Sequence, residues 1–457
     1  MEQAHLVPEP VSAPARQTKR LGFGFGRRFF LMTLLGLLWI APAFWDLRYL
    51  LVMAAWDVFA LAAWAVDLWR LPRPELLTVT RSWAGAPSLS NDQTINLEVH
   101  NRGGALECSL VDDAPESLRR EPPRLKTRVP GNSSATASYT VRPLQRGDVT
   151  LGDVYLRYWS GANFAERWAR AGLQQSIQVF PDLEEARRHN IYLIRARQIE
   201  LERRLLRQRG TGREFESLRE YQQGDEFRNI CWSATARRGK HVSKLYQVER
   251  SQAVWLVLDA GRLLRTRVQE LNKLDLSVNA ALSLAQIALY SGDRVGLMVY
   301  GRQIQQRVGL GRGLGHMRVI LERLAAAHEE AAEADHLRAA AALMQLQRQR
   351  GLIIWITDLA DTSMTPEVIE SASQILSRHL LLFVVIAQKD LLALAAHYPK
   401  NAAEMFEVTA AQELVHRRET LIARVRNRGA LTLEVSPDHL TTSVVNQYLK
   451  VKERNLI

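Results

Sequence analysis

Two apolar runs near its start, the first of them uncharged, constrain this 457-residue chain more than any other feature. Phe29 to Trp45 reads FFLMTLLGLLWIAPAFW, and after the turn Asp46-Leu47-Arg48 a second run extends from Tyr49 to Trp69. Each approaches the roughly 20 residues that cross a bilayer's hydrocarbon core as a helix. Joined by so short a turn, they predict a two-helix transmembrane hairpin over residues 29–69. A cleavable leader requires a small-residue cleavage site and a water-facing chain after one apolar core; here a second run follows at once. Arg16, Lys19, Arg20, Arg27 and Arg28 precede the first run and Arg70 and Arg73 follow the second, whereas the turn's one arginine is balanced by Asp46. This bias places both termini and the soluble domains in the cytoplasm.

Residues 1–28 are expected to be a disordered basic tail. Asp57 falls near the middle of the second run, where a carboxylate costs about 2.5–3.5 kcal/mol on insertion scales. It is expected to face a partner helix, within the hairpin or between copies; a shallow, tilted hairpin that lets it reach water is the alternative.

An apolar fraction of 47% and a charged fraction of 24% are those of ordinary globular proteins, so most of the chain beyond the hairpin is expected to be folded. The net charge of +12 favours an anionic neighbour, either acidic headgroups or nucleic acid. Cys108 and Cys231 form no CxxC or Cys/His cluster, which excludes a readable disulfide framework or zinc site.

Over residues 75–181, short alternating runs such as Ile95-Asn96-Leu97-Glu98-Val99 are separated by turn signals at Asn101-Arg102-Gly103-Gly104 and Pro130-Gly131-Asn132. Their spacing predicts an antiparallel β-sandwich. Residues 182–250 read as a charged linker and then a distinctive block, GREFESLREYQQGDEFRNICW. Its mixed charges and rings follow neither a helical nor a strand period. They suit an ordered loop docked through arginine–carboxylate pairs and buried aromatics, with Arg213, Glu216, Arg219, Glu220, Tyr221, Gly224, Asp225, Arg228 and Trp232 as interaction residues.

That block resembles the signature of the bacterial domain of unknown function 58 family. Members commonly join a membrane hairpin, a β-sandwich, this block and a von Willebrand A-like domain, so the resemblance extends over nearly the whole chain. Cys231 departs from the acidic residue the family often carries before the tryptophan. The resemblance implies the bacterial inner membrane and, from genomic habit, a MoxR-type AAA+ ATPase as partner.

From 251 to 457 apolar runs alternate with helical stretches: AVWLVLD, RVGLMVY, LIIWITD, HLLLFVVIA and LTLEV. Such alternation predicts a doubly wound α/β sheet. Asp259 and Asp358 end two of these strands, where ligands of such sheets bind. The arrangement resembles a von Willebrand A metal site, which holds magnesium through an Asp-x-Ser-x-Ser turn, a threonine and a second aspartate. Gly261 and Leu263 replace the two serines and no threonine is assignable, so a degenerate site without tight metal binding is expected. The loop Gly309-Leu310-Gly311-Arg312-Gly313-Leu314-Gly315 lacks the Gly-Lys-Ser/Thr of a phosphate cradle. His316, His328 and His336 read as surface or capping residues.

No nucleophile and base constellation is readable, and no catalytic residue or cofactor is assigned. The sequence therefore predicts a non-enzymatic, membrane-anchored interaction scaffold. A membrane-associated nucleic-acid-binding protein, using arginines in 195–209 and 237–244, is the rival reading.

Overall fold

A computed structural model describes residues 6–18, 22–119, 121–182, 214–222, 227, 230–247, 252–359, 365–454 and 456, with isolated positions between 184 and 198. The chain divides into two compact units, Met1–Asp182 and Leu183–Ile457.

The first unit contains the helical segment and a large antiparallel β structure. Strand β1 (Val11–Gln17) and β2 (Phe23–Phe25) precede the helices, which are α1 (Arg27–Gly36), the short α2 (Ile40–Ala43) and α3 (Tyr49–Arg70). Nine strands then follow: β3 (Leu77–Trp83), β4 (Gln93–Asn101), β5 (Leu106–Asp112), β6 (Arg124–Val129), β7 (Ser133–Val141), β8 (Gly147–Leu151), β9 (Val154–Trp159), β10 (Ala165–Ala171) and β11 (Gln175–Val179). The main path runs β6-β5-β9-β10-β1-β3-β4-β7, with β2 added to β10 and a separate β11-β8 pair. Its end strands β6 and β7 lie side by side, so the path nearly closes on itself. Alternation drives this shape: β3 and β5 bury every second residue into one core that includes Leu77, Val79, Leu106, Cys108 and Leu110.

The expected disordered tail is corrected here. Val11 to Pro14 pair with β3, and Ala15 to Gln17 then pair with β10, so β1 bridges two parts of the path. Each residue is paired on one side only, which tolerates Pro14, and Ala15 is fully buried. A strand that closes a gap needs backbone hydrogen-bonding groups more than apolar side chains, and composition hides such a role.

The apolar segment also differs from two uninterrupted helices. Among the described residues, one helix is long and apolar enough to cross a membrane by length and composition, the one beginning at Tyr49. The first run breaks after Gly36 into a 3-10 turn, Leu37–Trp39, and then α2, where Pro42 has no N–H to continue a helical ladder. The two legs still pack. Trp56 Nε1 donates to the Met32 carbonyl at 2.8 Å, and a Cβ on the buried Gly36 would lie 2.8 Å from the Trp56 ring and 3.1 Å from Asp57 Oδ1. Asp57 thus points toward the other leg.

In the second unit β12 (Glu214–Glu220) and β13 (Val242–Gln247) form a hairpin around the short helix α4 (Trp232–Arg238). The α/β sheet comprises β14 (Ala253–Asp259), β17 (Arg294–Tyr300), β18 (Ile304–Gly311), β19 (Leu352–Thr357), β20 (Leu380–Ile386) and β21 (Leu431–Val435); β15 (Arg267–Val268) and β16 (Leu271–Asn272) are a two-residue ribbon. The order is β18-β17-β14-β19-β20-β21, parallel throughout except for β18. Helices α5 (Lys273–Tyr290), α6 (Gly313–Ala325) and α11 (Leu440–Glu453) pack together; α7 (His336–Leu346), α8 (Thr365–Leu376) and α10 (Ala402–Asn427) cover the opposite face, and α9 (Lys389–Ala395) packs on α10. Strands covered on both faces read as continuous apolar runs, and β14 is buried at every residue.

Candidate functional site

A concavity of about 1080 Å³ is an open cleft in the β unit, lined among others by Arg119, Arg157, Tyr155 and Trp168. Arg157 is already paired with Glu166 and Arg119 with main-chain oxygens. Chemistry gathers instead in the α/β unit. The connection from β14 runs to β17 on one side and that from β19 runs to β20 on the other, which makes the carboxyl ends of the adjacent β14 and β19 the topological switch point. Asp259 ends β14 and Asp358 follows β19, and both are buried.

Asp259 is held from two sides. Its Oδ1 accepts the Gly261 N–H at 2.7 Å and its Oδ2 accepts the Thr357 hydroxyl at 2.6 Å. Burial pushes its carboxyl above the usual range, with His336 and these two hydrogen bonds opposing. A cavity of about 30 Å³, room for a single water, opens beside Asp259, Gly261, Leu263, His336 and Asp358.

Asp358 is engaged more fully. Lys273 Nζ donates to Oδ2 at 2.5 Å, Gln388 Nε2 donates to the same oxygen at 3.1 Å, and Oδ1 accepts from Arg418 Nη1 at 3.1 Å and the Leu359 N–H at 2.7 Å. The Lys273, Arg418 and Asp358 side chains are 3%, 6% and 0% exposed. Arg418 also donates to the Leu359 and Ile386 carbonyls and, through Nε, to Glu434 at 3.0 Å. Asn272 and Asp275 form a capping box at the start of α5, which fixes the first helical residue, Lys273, over the strand ends.

These residues do not fit a divalent ion. Both Asp358 oxygens already accept from cationic side chains, and an ion at that carboxylate would meet an ammonium at contact distance. A Cβ at position 261 would lie 2.8 Å from the Ala334 backbone nitrogen, so the turn has no room for a serine there. Among the described residues no group of three or more His, Cys, Asp or Glu side chains is placed to hold a metal.

Residues 217–418 match the family model described as protein of unknown function DUF58. The DUF58 span thus ends at Arg418 and contains both aspartates and Lys273. An uncharacterized protein of Mycobacterium bovis and another of Mycobacterium tuberculosis are each 30% identical to this chain over 152 residues, 33% of this chain and 48% of theirs. The chain therefore spans about half the length of the curated relatives it matches. Among solved structures, an aerotolerance-related membrane protein from Bacteroides fragilis is 12% identical at a TM-score of 0.29, covering 44% of this chain and 99% of its own. A conserved hypothetical protein BatB from Bacteroides thetaiotaomicron is 12% identical at 0.29, covering 45% and 100%. Similarity at this level carries nothing about activity or partners.

At the start of the DUF58 span, Arg219 and Glu220 lie on β12, where Glu220 pairs with Lys240 at 3.0 Å. Tyr221 stacks on Phe227 with ring centroids 6.1 Å apart. The expectation of buried rings is corrected for two of them: Phe227 and Trp232 are 77% and 66% exposed. Arg213, Gly224, Asp225 and Arg228 lie outside the described residues, as do most of residues 183–209, and the Glu216 side chain is likewise not described.

Lys273, Thr357, Gln388 and Arg418 are the site residues that sequence reasoning missed. Lys273 carried a signal: a lysine opening an otherwise apolar helix needs a buried partner. His336 is corrected from a surface or capping residue to a buried one. The Trp355 indole donates to Tyr300 Oη at 2.6 Å, which lies 2.9 Å from His336 Nδ1.

Proposed function

We propose that this protein is a non-enzymatic, membrane-anchored interaction scaffold whose von Willebrand A-like unit presents its strand-end face to a protein partner. The observation that carries the reading is the commitment of both switch-point carboxylates to internal donors. Neither is left as a base, nucleophile or ligand, so the face is suited to hold a shape rather than to turn over a substrate. The segment leaving that face at Gln388 carries Tyr398 and Phe406, which are 86% and 78% exposed, as anchors for a protein surface.

A hairpin anchor, rather than a single crossing, is supported by strand pairing. Strands β1 and β2 precede the apolar segment and pair with β3 and β10 that follow it, so both ends of residues 27–70 lie on one side of any bilayer they enter. The charge bias favours the cytoplasm as that side, and the resemblance in the sequence implies the bacterial inner membrane as the bilayer. From the resemblance in the sequence, the partner is a MoxR-type AAA+ ATPase.

The test is direct binding of the full-length protein, in mild detergent, to a purified MoxR-type ATPase. Saturable binding weakened by Tyr398→Ala and Phe406→Ala, and unchanged by Trp232→Ala, is the expected result. Absence of binding would remove the partner, and hydrolysis of any substrate that depends on Asp259 or Asp358 would remove the non-enzymatic reading. Magnesium titrated into the same protein is expected to give no heat.

A further inference from the structure

The turn between β9 and β10 grips both legs of the apolar segment. On the side of the first leg, the Gly26 N–H donates to the Phe164 carbonyl at 2.7 Å and the Arg28 N–H to the Asn163 carbonyl at 3.2 Å. On the side of the second, Asp67 Oδ2 accepts the N–H groups of Phe164 and Ala165, both at 2.9 Å, and Oδ1 accepts the Ser160 hydroxyl at 2.5 Å. Asp67 is only 6% exposed, so its charge is satisfied by the turn rather than by water. Trp64 Nε1 also donates to the Gly24 carbonyl at 3.2 Å, and its ring lies 5.0 Å from that of Phe25. The β unit is therefore not tethered to the helices by a loop; it is bolted to them.

The bolt lies inside the apolar stretch, not beyond it. From Tyr49 to Asp67 the helix rises about 27 Å at about 1.5 Å per residue, against a hydrocarbon core of about 30 Å. Trp64 lies a further turn down. If α3 spans, the groups level with Trp64 and Asp67 cannot stand clear of the lipid. They are the tip of β2 and residues 160–165. Exposed side chains at this level suit that position: Trp69 is 85% exposed and Phe25 42%, and Arg27, Arg28, Arg70 and Arg73 are exposed around them. Aromatic rings and arginines together match the interface between acyl chains and anionic phosphates.

We propose that residues 160–165 and the β2 tip form an interfacial buckle, seated in the headgroup layer with Arg27, Arg28, Arg70 and Arg73 on anionic lipid phosphates. The proposal rests on the membrane reading above. It adds that the β unit has one fixed orientation on the bilayer, set by Asp67, and that anionic lipid is its ligand.

The test uses full-length protein carrying Cys231→Ser and an Ala162→Cys fluorophore on the exposed turn, reconstituted in phosphatidylcholine vesicles with and without phosphatidylglycerol. Headgroup-spin-labelled lipid is the quencher, and flotation reports membrane association. Strong quenching that increases with phosphatidylglycerol is expected. Asp67→Ala should abolish most of the quenching while the protein still floats, and Asp67→Asn, which keeps an acceptor oxygen, should retain part of it. Replacing the four arginines with glutamine should remove the phosphatidylglycerol effect. Protein that floats with an unquenched label overturns the buckle and leaves the membrane reading intact; protein that does not float overturns the membrane reading itself. Quenching indifferent to phosphatidylglycerol overturns the anionic ligand, and quenching by a second labelled copy in place of lipid would make the rim a dimer contact instead.

Discussion

The Lys273 ammonium lies 2.5 Å from Asp358 Oδ2, with both side chains buried. An ion pair in this setting is strongly favourable to keep once its charges are buried, although apolar replacements of both partners can be nearly neutral. Lys273→Met is therefore expected to lower the stability of the α/β unit by about 3–5 kcal/mol. Lys273→Met combined with Asp358→Asn should be less destabilised than the sum of the two single changes, because the two side chains interact directly and each single change leaves the other charge without this partner. Denaturant unfolding of the four proteins in one detergent measures this; strict additivity would mean the pair does not act as a unit.

A second buried pair holds the β unit. Arg81 is fully buried and its Nε and Nη2 both donate to Asp112, while Nη1 donates to the Leu173 carbonyl at 2.7 Å and Tyr139 Oη to Asp112 Oδ2 at 2.7 Å. Burial, with Asp112 beside it, pushes the Tyr139 hydroxyl far above its ordinary range, so it stays a donor at every working pH. Lysine cannot reproduce the fork. Arg81→Lys is expected to cost about 3 kcal/mol in denaturant unfolding, within the range for breaking a buried pair, whereas Tyr139→Phe should cost about 1 kcal/mol.

The two cysteines should separate cleanly under a maleimide. Burial pushes the Cys108 thiol up to about 12. Cys231 is drawn down by the Ser233 hydroxyl, 3.4 Å from its sulfur, and by the Ala234 N–H. At neutral pH one thiol should label in the native protein and two after denaturation, and Cys231→Ser should abolish the native signal. Fast native labelling of Cys108 would contradict the packing of the β core.

Asp259 sets a pH dependence whose sign follows from burial. Its folded carboxyl sits above the ordinary value, so in the window between the two values the folded state binds more protons than the unfolded one. Stability is fully present below the ordinary value of 3.8 and falls as pH rises through the folded value. Asp259→Asn should flatten that part of the stability curve measured by denaturant unfolding across pH. A slope unchanged by the substitution would assign it to another group.

How much of this was legible follows from which interactions are periodic. The α/β strands declared themselves because residues such as Val254 to Leu258 are buried without interruption, and the β-rich segment because side chains in β3 and β5 alternate. Asp259 and Asp358 were found because strand ends are positions a pattern can mark. Arg418 was not: it lies in a 26-residue helix whose charges surround it, and only the fold brings it to Asp358, sixty residues earlier in the chain. Thr357 adjoins Asp358 in sequence yet serves Asp259, a pairing that exists only because β14 and β19 are neighbours. The strand at Val11–Gln17 was hidden for the opposite reason, since its contribution is made by main-chain atoms that every sequence shares.

That strand bears on the order of events as the chain is made. Ala15 pairs with Ala171, and the intervening residues include the whole apolar segment. The two halves of this strand therefore find their neighbours at different times, Val11 to Pro14 once β3 is made and Ala15 to Gln17 only once β10 is made. The half from Ala15 to Gln17 must wait through the apolar segment and the synthesis of β10 before its backbone is paired. Anything that delays entry of the apolar segment into the bilayer prolongs the time for which this half-strand presents an open edge.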